Sequence, residues 1–329
     1  MAINILAIEK YLPKNRISSE ELDKIVNGRV GRIEKNSGVK FRHHVSENET
    51  VAQMGANALT KALNKANLKP KDLDLLIFSG ASFDYPVPHN SAIIKSKITT
   101  DEVNFHCFDI DSTCLSFMNA LDLAQLYLEA GRYKRIAIVS SEIASKALSP
   151  HDEKVFGLFG DAAVGIILES SSTTGYKQTF ANFKNFPSGA LQACVPLGGA
   201  INRGINSSAN DEGYYFKMDG SGMIRLLKKY FDGFIKEMNE KTNYSIEDFD
   251  AIITHQASRF GNEFFLNNYH PRADQMVDTL SINGNCISAS IPLGLELWMN
   301  NNPDTKNKKI LILGAGAGFS LGALILDFN

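Results

Sequence analysis

The stretch FDIDSTCLSFMNALDLA, residues 108–124, has a counterpart in LSINGNCISASIPLGLE, residues 280–296. Each predicts a strand, a tight turn of small residues and then an apolar helix. Each is followed by a buried strand, IAIVSS at 136–141 or ILILGAG at 310–316. Helical and strand patterns that alternate in this way indicate an α/β protein.

The elements upstream of the two stretches also correspond. DLDLLIFS (72–79) and DFDAIITH (248–255) are each an acidic turn followed by a short apolar strand. Each is preceded by a predicted amphipathic helix, at 51–66 and 222–239, with apolar residues at helical spacing.

Four elements in matching order predict a duplicated chain, with one half at residues 1–172 and the other at 173–329. The polar stretch SSSTTGYKQTFAN (170–182) is the predicted connection. The alternative is a chance echo, since any α/β protein repeats such elements to some extent.

Composition sets broad limits on function. The chain has 329 residues, 44% of them hydrophobic, and a formal net charge of −2, so no basic excess indicates a nucleic-acid partner. No apolar run reaches the ~18 residues of a membrane span. The first residues predict a strand at Ile3–Ile8 rather than a signal peptide. Four sparse cysteines without a CxxC pair predict reduced thiols in a cytoplasmic protein, and no metal site.

Cys114 is a candidate nucleophile. It lies at a predicted strand-to-helix junction, where the helix dipole and free backbone N–H groups favour the thiolate. The alternative is a small buried residue, which is the commoner role of a free cysteine.

His255 and Asn285 are candidate partners for that cysteine. His255 ends a predicted strand of the second half, and Asn285 lies in a turn opposite Cys114 in the repeat. In a duplicated α/β fold the loops at the carboxyl ends of equivalent strands converge. The alternatives are an ordinary surface or core histidine and an asparagine that serves only the turn.

The glycine-rich stretch GAGAGFSLG (314–322) is predicted to be a flexible loop beside the site, with N–H groups available to an oxyanion. It is not interpreted as a dinucleotide fingerprint, because no helix and acidic strand follow it before Asn329.

Together these residues resemble ketoacyl-ACP synthase III, of the thiolase superfamily, over nearly the whole chain. The matching stretches are YLPKNRISSEEL, SGVKFRHH, NETVAQMGANAL, FDIDSTCLSFMNAL, LFGDAAVGIIL, THQAS, NGNCISASIPLGL and GAGAGFSLGALIL. The resemblance implies the duplicated five-layered thiolase fold (α-β-α-β-α) and a homodimer. It also implies acyl-CoA or acyl-carrier-protein thioesters as substrates, with no bound cofactor.

The resemblance also implies roles for single residues. Cys114 would be acylated by a thioester, and His255 and Asn285 would bind the carbonyl of a second thioester during a Claisen condensation. The N–H of Cys114 and one in the loop at Ala317 and Gly318 would form the acyl oxyanion hole.

Further positions follow from the same match. Asp161 would be structural, and Val87 would gate the acyl pocket of the partner subunit. The remaining positions implied for substrate binding are Gly220, Ser221, Ile224 and Arg259.

The chain departs from the fatty-acid-priming members of that family where they hold coenzyme A. Arg32 and Asn36 stand where those enzymes grip the adenine, and Glu153 stands where they place an arginine. The carrier-protein motif Gln-Ala-Asn-x-Arg becomes QASRF at 256–260. We therefore expect a specialised relative that joins two acyl units in secondary metabolism, such as dialkylresorcinol, pyrone or olefin pathways.

Other functions stay open at this point. They are fatty-acid initiation, acyl transfer to an alcohol or amine without C–C bond formation, and a non-catalytic partner subunit. A thiolase is disfavoured, since the terminal glycine-rich stretch lacks the second cysteine that a thiolase uses as base. An unrelated cysteine hydrolase would leave that glycine-rich end unexplained.

Overall fold

The computed structural model describes residues 2–201 and 211–328. In chain order, the strands are β1 (Ala2–Tyr11), β2 (Asn15–Ser18), β3 (Phe41–His44), β4 (Leu75–Ser79), β5 (His106–Ile110), β6 (Arg135–Glu142), β7 (Ala162–Ser171), β8 (Tyr176–Asn185), β9 (Ala193–Cys194), β10 (Lys217–Met218), β11 (Ala251–Thr254), β12 (Lys309–Gly316) and β13 (Ser320–Phe328). The α-helices are α1 (Ser19–Ile25), α2 (Arg32–Ser37), α3 (Val51–Lys65), α4 (Asn90–Ile98), α5 (Ser116–Glu129), α6 (Glu153–Phe156), α7 (Gly220–Thr242), α8 (Arg259–Tyr269), α9 (Leu280–Asn283) and α10 (Ser290–Asn301).

Nine strands form a mixed sheet in the order β11-β12-β13-β8-β1-β7-β6-β4-β5. In the first half β1 pairs antiparallel with β7 and β7 antiparallel with β6, while β6, β4 and β5 run parallel. In the second half β8 pairs antiparallel with β13, β13 antiparallel with β12, and β12 runs parallel with β11. The two halves therefore repeat one strand order.

The first half contributes five strands to the sheet, and in the described residues of the second half the counterpart of the fifth, β5, is reduced to a single bridge. A single parallel bridge between Ile252 and Met276 lies on the outer side of β11, where the first half has β5 on the outer side of β4. Within the sheet, the two halves are joined by one antiparallel residue pair, Ile3 with Tyr176, between β1 and β8.

The helices form three layers around these strands. Helices α5 and α10 lie in the central layer, in a core that combines residues of both halves. Helices α3 and α4 cover the outer face of the first half, and α7 and α8 cover that of the second. Burial of apolar side chains in these three cores is the main stabilising contribution to the arrangement. It is the predicted duplicated α/β fold.

Two local expectations were wrong. The predicted connection 170–182 is mostly strand, because β7 continues to Ser171 and β8 begins at Tyr176, leaving a short turn at 172–175. Tyr176 is fully buried and Phe180 packs against the outer core of the second half. The polar residues between these two side chains led to the prediction of a connecting segment instead of a strand.

The glycine-rich stretch is a hairpin rather than a flexible loop. Gly314 pairs with Gly322 and Gly316 with Ser320, so only 317–319 form the turn. A Cβ at Gly314 would lie 2.3 Å from Cδ2 of Leu115. Glycine is therefore required there, because it allows β12 to pack against the turn that carries Cys114.

Candidate active site

A cavity of about 760 Å³ lies at the carboxyl ends of β4, β5, β6, β11 and β12, and Cys114, His255 and Asn285 all line it. The three residues come from three separate elements of the two halves. Most of the wall is apolar. Its large apolar side chains are those of Phe83, Tyr85, Ile93, Ile143, Leu148, Leu158, Phe159, Phe216, Met218, Met223 and Ile287.

Cys114 is held in a strained turn before α5. Thr113 has a positive φ of 55°, and its N–H donates to Oδ1 of Asp111 at 2.8 Å. The N–H of Ser112 donates to Oγ of Ser116 at 2.9 Å. A β-branched residue with φ > 0 is uncommon and costs energy, so the surrounding contacts must hold this turn in place.

The second half contains the same turn. Ile287 has a φ of 50°, and its N–H donates to Oδ1 of Asn285 at 2.9 Å. The N–H of Cys286 donates to Oγ of Ser290 at 2.9 Å, before α10 begins at Ser290. Each hydrogen bond matches one around Cys114.

This match corrects the predicted register of the repeat. Asn285 is the counterpart of Asp111, and Ser288 is the counterpart of Cys114. The sequence alone aligns Cys286 with Cys114, because the two cysteines lie in similar surroundings. The true equivalence lies two residues further along, so Asn285 is not opposite the nucleophile as predicted.

The Cys114 thiol is neutral at rest. Burial raises the pKa of Cys114 to about 12, more than the backbone hydrogen bond with Ala317 and that of Cys114 itself lower it. The negative charge of Glu142 raises this pKa further. The expected thiolate at a helix terminus is therefore absent before substrate binds, because desolvation outweighs the local dipoles.

His255 follows β11 and is also neutral. It is 7% exposed, and burial lowers the pKa of its imidazole to about 4. Its own N–H donates to the carbonyl of Leu313 at 2.7 Å, which fixes the backbone beside β12. Neither ring nitrogen has a hydrogen-bond partner within residues 2–201 and 211–328. A buried imidazole with two free nitrogens can bind a polar group of a ligand in the cavity.

Asn285 has its amide oriented by the protein. Nδ2 donates to the carbonyl of Ala257 at 3.2 Å, while Oδ1 accepts from Ile287. Because an amide nitrogen carries two hydrogens, one donor is left for a ligand. The backbone of Asn285 bonds to Leu158 and Gly160, which anchors it to the first half.

Gln256 is a residue that the sequence reasoning did not single out. Its Nε2 donates to the carbonyl of Val277 at 2.5 Å, and its Oε1 accepts from the N–H groups of Thr279, at 2.7 Å, and Leu280. These contacts fix the loop that follows His255. The only signal for it in the sequence was that this glutamine directly follows the candidate His255.

Comparison with known proteins bears directly on this site. The family description "3-Oxoacyl-[acyl-carrier-protein (ACP)] synthase III" matches residues 108–185, and its C-terminal counterpart matches 239–328. Beta-ketoacyl-[acyl-carrier-protein] synthase III of Neisseria gonorrhoeae is 30% identical over 97% of both chains. That of Clostridium acetobutylicum is 28% identical over all of this chain and 99% of its own.

The chain belongs to the 3-oxoacyl-[acyl-carrier-protein] synthase III family.

It is thus a C–C bond-forming acyltransferase. Solved structures share its fold. The synthase III of Aquifex aeolicus VF5 has a TM-score of 0.87 at 24% identity, covering 99% of both chains. A variant of OleA from Xanthomonas campestris has a TM-score of 0.85 at 18% identity, covering 99% of this chain and 98% of its own. The priming β-ketosynthase of the R1128 polyketide pathway has a TM-score of 0.86 at 22% identity, covering 99% of this chain and 96% of its own.

Among the other site residues predicted in this synthase, only Ala317 lines the cavity. Gly318 follows it in the hairpin turn with a φ of 76°. Gly220, Ser221 and Ile224 start α7 without lining the cavity, and Met218 and Met223 line it in their place.

Val87 and Arg259 also lie outside the cavity wall. Val87 is 84% exposed on this chain. Arg259 begins α8, where it donates to the carbonyl of Lys35 at 3.0 Å and pairs with Glu263 at 2.7 Å. The expected contact of Arg259 with substrate stays a prediction.

Two of the positions expected to depart from the priming enzymes contact each other. Arg32 at the start of α2 pairs with Glu153 at the start of α6, with an N···O distance of 3.0 Å. Asn36 is exposed on the same short helix as Arg32.

Asp161 is buried and accepts three hydrogen bonds, from the N–H of Val45 and from the N–H and hydroxyl of Ser145. These contacts fit the structural role expected of it. Within the described ranges, no three His, Cys, Asp or Glu side chains come together as metal ligands, and no helix is both long and apolar enough to cross a membrane.

Proposed function

We propose that this synthase joins two acyl thioesters by a Claisen condensation, with Cys114 as the acylated nucleophile and His255 and Asn285 as the groups that bind the second thioester. One observation carries this proposal. The three side chains line one cavity, and the hydrogen-bonding capacity of the His255 imidazole is unused by any part of the chain that the structure describes.

In the first step the sulfur of Cys114 attacks the carbonyl carbon of an acyl thioester. The oxyanion that forms is stabilised by the backbone N–H groups of Cys114 and of the turn at Ala317 and Gly318. The carrier thiolate then leaves, and the thiol proton passes to it. The neutral imidazole of His255 is the group in the cavity that can relay this proton. The products are the acyl-enzyme and the free carrier thiol.

In the second step a malonyl or ketoacyl thioester binds with its carbonyl toward His255 and Asn285. Two neutral N–H donors stabilise the enolate oxygen as carbon dioxide is lost from a malonyl thioester, or as the α-proton of a ketoacyl thioester passes to solvent. The nucleophilic carbon attacks the acyl-enzyme, a C–C bond forms, and the Cys114 sulfur leaves and takes up a proton. A buried neutral imidazole supports this role, because a donor that stays neutral avoids the cost of a buried charge.

The wall of the cavity supports a long acyl chain. Apolar and aromatic side chains, among them Phe83, Leu148, Phe216 and Met223, line the cavity together with Cys114. Acetyl groups would leave most of about 760 Å³ unfilled, and apolar burial of roughly 0.8 kcal/mol per CH₂ favours longer chains.

The ion pair of Arg32 with Glu153 supports the specialised role over fatty-acid initiation. Arg32 and Glu153 form an ion pair with each other at the position where the priming enzymes are expected to bind coenzyme A. We therefore infer a role in the synthesis of a specialised lipid or secondary metabolite. Fatty-acid initiation stays the second candidate, because the curated relatives at 28–30% identity carry that family's name.

The homodimer stays a prediction, as does the cytoplasmic location. Exposure of Phe83, Tyr85 and Val87 beside the cavity supports the dimer, because a second subunit would cover these apolar side chains.

The experiment that tests the function uses a panel of acyl-CoA and acyl-carrier-protein donors from C2 to C16, with malonyl and 3-ketoacyl thioesters as acceptors. Product mass identifies the pair that reacts. Asn285→Ala is expected to reduce condensation by about a hundredfold and acylation of Cys114 by less than about threefold. Equal loss of both steps would instead support acyl transfer without C–C bond formation.

A further inference from the structure

Glu142 is a buried carboxylate that neither proposed step uses. It ends β6, is 0% exposed, and accepts from the N–H groups of Ala81 at 3.0 Å and Ser82 at 2.9 Å. The hydroxyl of Ser288 lies 2.5 Å from its Oε1. A buried acid with three such contacts has a defined position, since each lost contact would leave a polar group unsatisfied.

The contact with Ser288 joins the two halves of the molecule. Ser288 is the counterpart of Cys114 in the second half, and its hydroxyl also lies 2.9 Å from the carbonyl of Ser79 at the end of β4. One hydroxyl has one proton, so it cannot donate fully to two acceptors. The shorter contact, in which the Ser288 hydroxyl donates to Oε1 of Glu142, is therefore its main hydrogen bond. Burial raises the pKa of Glu142, while the hydrogen bonds from Ser288, Ser82 and Ala81 lower it.

Both ends of this link are part of the cavity wall. Ala81 and Ser82 line the cavity on the first-half side, while Asn285 and Ile287 line it on the second-half side. The hydrogen bond between Ile287 and Asn285 orients the Asn285 amide. Ser288 directly follows Ile287, so its position sets that of the turn.

We propose that Glu142 is a positioning residue, which holds the turn carrying Asn285 against the half carrying Cys114 through its contact with Ser288. This inference rests on the proposed function, because it assigns the link to the condensation step. Acylation uses Cys114, His255 and the turn at Ala317 and Gly318 but not Asn285, so it should depend little on Ser288. Condensation needs Asn285 at a fixed distance from the acyl-enzyme.

The test measures two rates separately in the full-length protein. Acylation is followed as the mass adduct on Cys114, and condensation as its discharge when the acceptor thioester is added to the preformed acyl-enzyme. Ser288→Ala is expected to slow condensation by about tenfold and to leave acylation within about twofold of wild type, since small misplacements of reacting groups cost this much.

Ser141→Ala is the matched control. Ser141 is also fully buried, lies next to Glu142 on β6, and donates to the carbonyl of Val51 at 2.8 Å, which is within the first half. This change is expected to alter the stability but not the ratio of the two rates. A merely structural role of Ser288 would give the same result as this control.

Glu142→Gln provides a second, independent variant. It is expected to shift the ratio in the same direction, and Glu142→Gln combined with Ser288→Ala should be no worse than Glu142→Gln alone, because the two residues act through one contact. Equal losses in both steps, no loss in either, or additive effects would overturn the inference. A wild type that forms no acyl-enzyme would instead overturn the proposed function.

Discussion

At the scale of the residue, the site is defined by two groups that burial keeps neutral. The pKa of the Cys114 thiol is raised to about 12 and that of the His255 imidazole is lowered to about 4. Proton transfer from sulfur to imidazole is therefore unfavourable before substrate binds. The incoming thioester must therefore promote the loss of the thiol proton, by placing an electrophilic carbon next to the sulfur.

A first prediction concerns Cys114. Its alkylation by iodoacetamide is expected to be slow at pH 7 and to rise about tenfold per pH unit up to pH 9, because the thiolate fraction grows in that proportion far below the pKa. Intact mass with wild type and Cys114→Ala assigns the rate to this thiol. A plateau below pH 8 would contradict a pKa near 12.

A second prediction concerns His255. Because the folded protein keeps this imidazole neutral down to pH about 4, discharge of the acyl-enzyme should be nearly independent of pH between about 5.5 and 8. The rate should fall only as the pH approaches 4, when the ring takes up a proton. An inflection near 6.5, the ordinary pKa of histidine, would show that the ring is solvated during the reaction.

At the scale of the element, the turns and strands that carry the site were predicted to differing degrees. The helix at 51–66 and the strand at 136–141 were predicted to within a residue or so of α3 and β6, since periodicity and apolar runs report burial. The hairpin at 314–322 was missed, because glycines that serve close packing look the same in sequence as glycines of a loop.

A third prediction tests that packing. Gly314→Ala is expected to reduce the free energy of unfolding by about 1–3 kcal/mol, because the new Cβ would lie 2.3 Å from Leu115 and 2.9 Å from Met118. Gly233→Ala, on the exposed side of α7, is the control. Its Cβ would meet no described atom within 4 Å, and it should stabilise by roughly 0.5–1 kcal/mol. Chemical denaturation measures both, and a loss at Gly233 or a gain at Gly314 would contradict this account.

At the scale of the whole molecule, the cavity lies where two copies of one α/β unit meet. Each copy supplies the same strained turn, before α5 in one half and before α10 in the other. One turn carries Cys114, and the other carries Asn285 and Ser288. The duplication and the convergence of these loops could be predicted from the order of elements along the chain.

The register between the copies could not be predicted. It depends on hydrogen bonds such as those of Thr113 with Asp111 and of Ile287 with Asn285, which leave no periodic signal in the sequence. Part of the cavity wall was also not predicted. Side chains such as Met218 and Met223 enter the cavity through the packing of α7 and its neighbours, which local patterns do not report.

The central claim is that Cys114 holds an acyl group which the cavity then joins to a second thioester. Intact-protein mass spectrometry tests it most directly, with wild type and Cys114→Ala each incubated with an acyl thioester and then with the acceptor. We predict one acyl adduct on wild type, none on Cys114→Ala, and loss of the adduct with release of a 3-oxoacyl product when the acceptor is added. An adduct that persists on Cys114→Ala, or that is released only as the free acid, would contradict the claim.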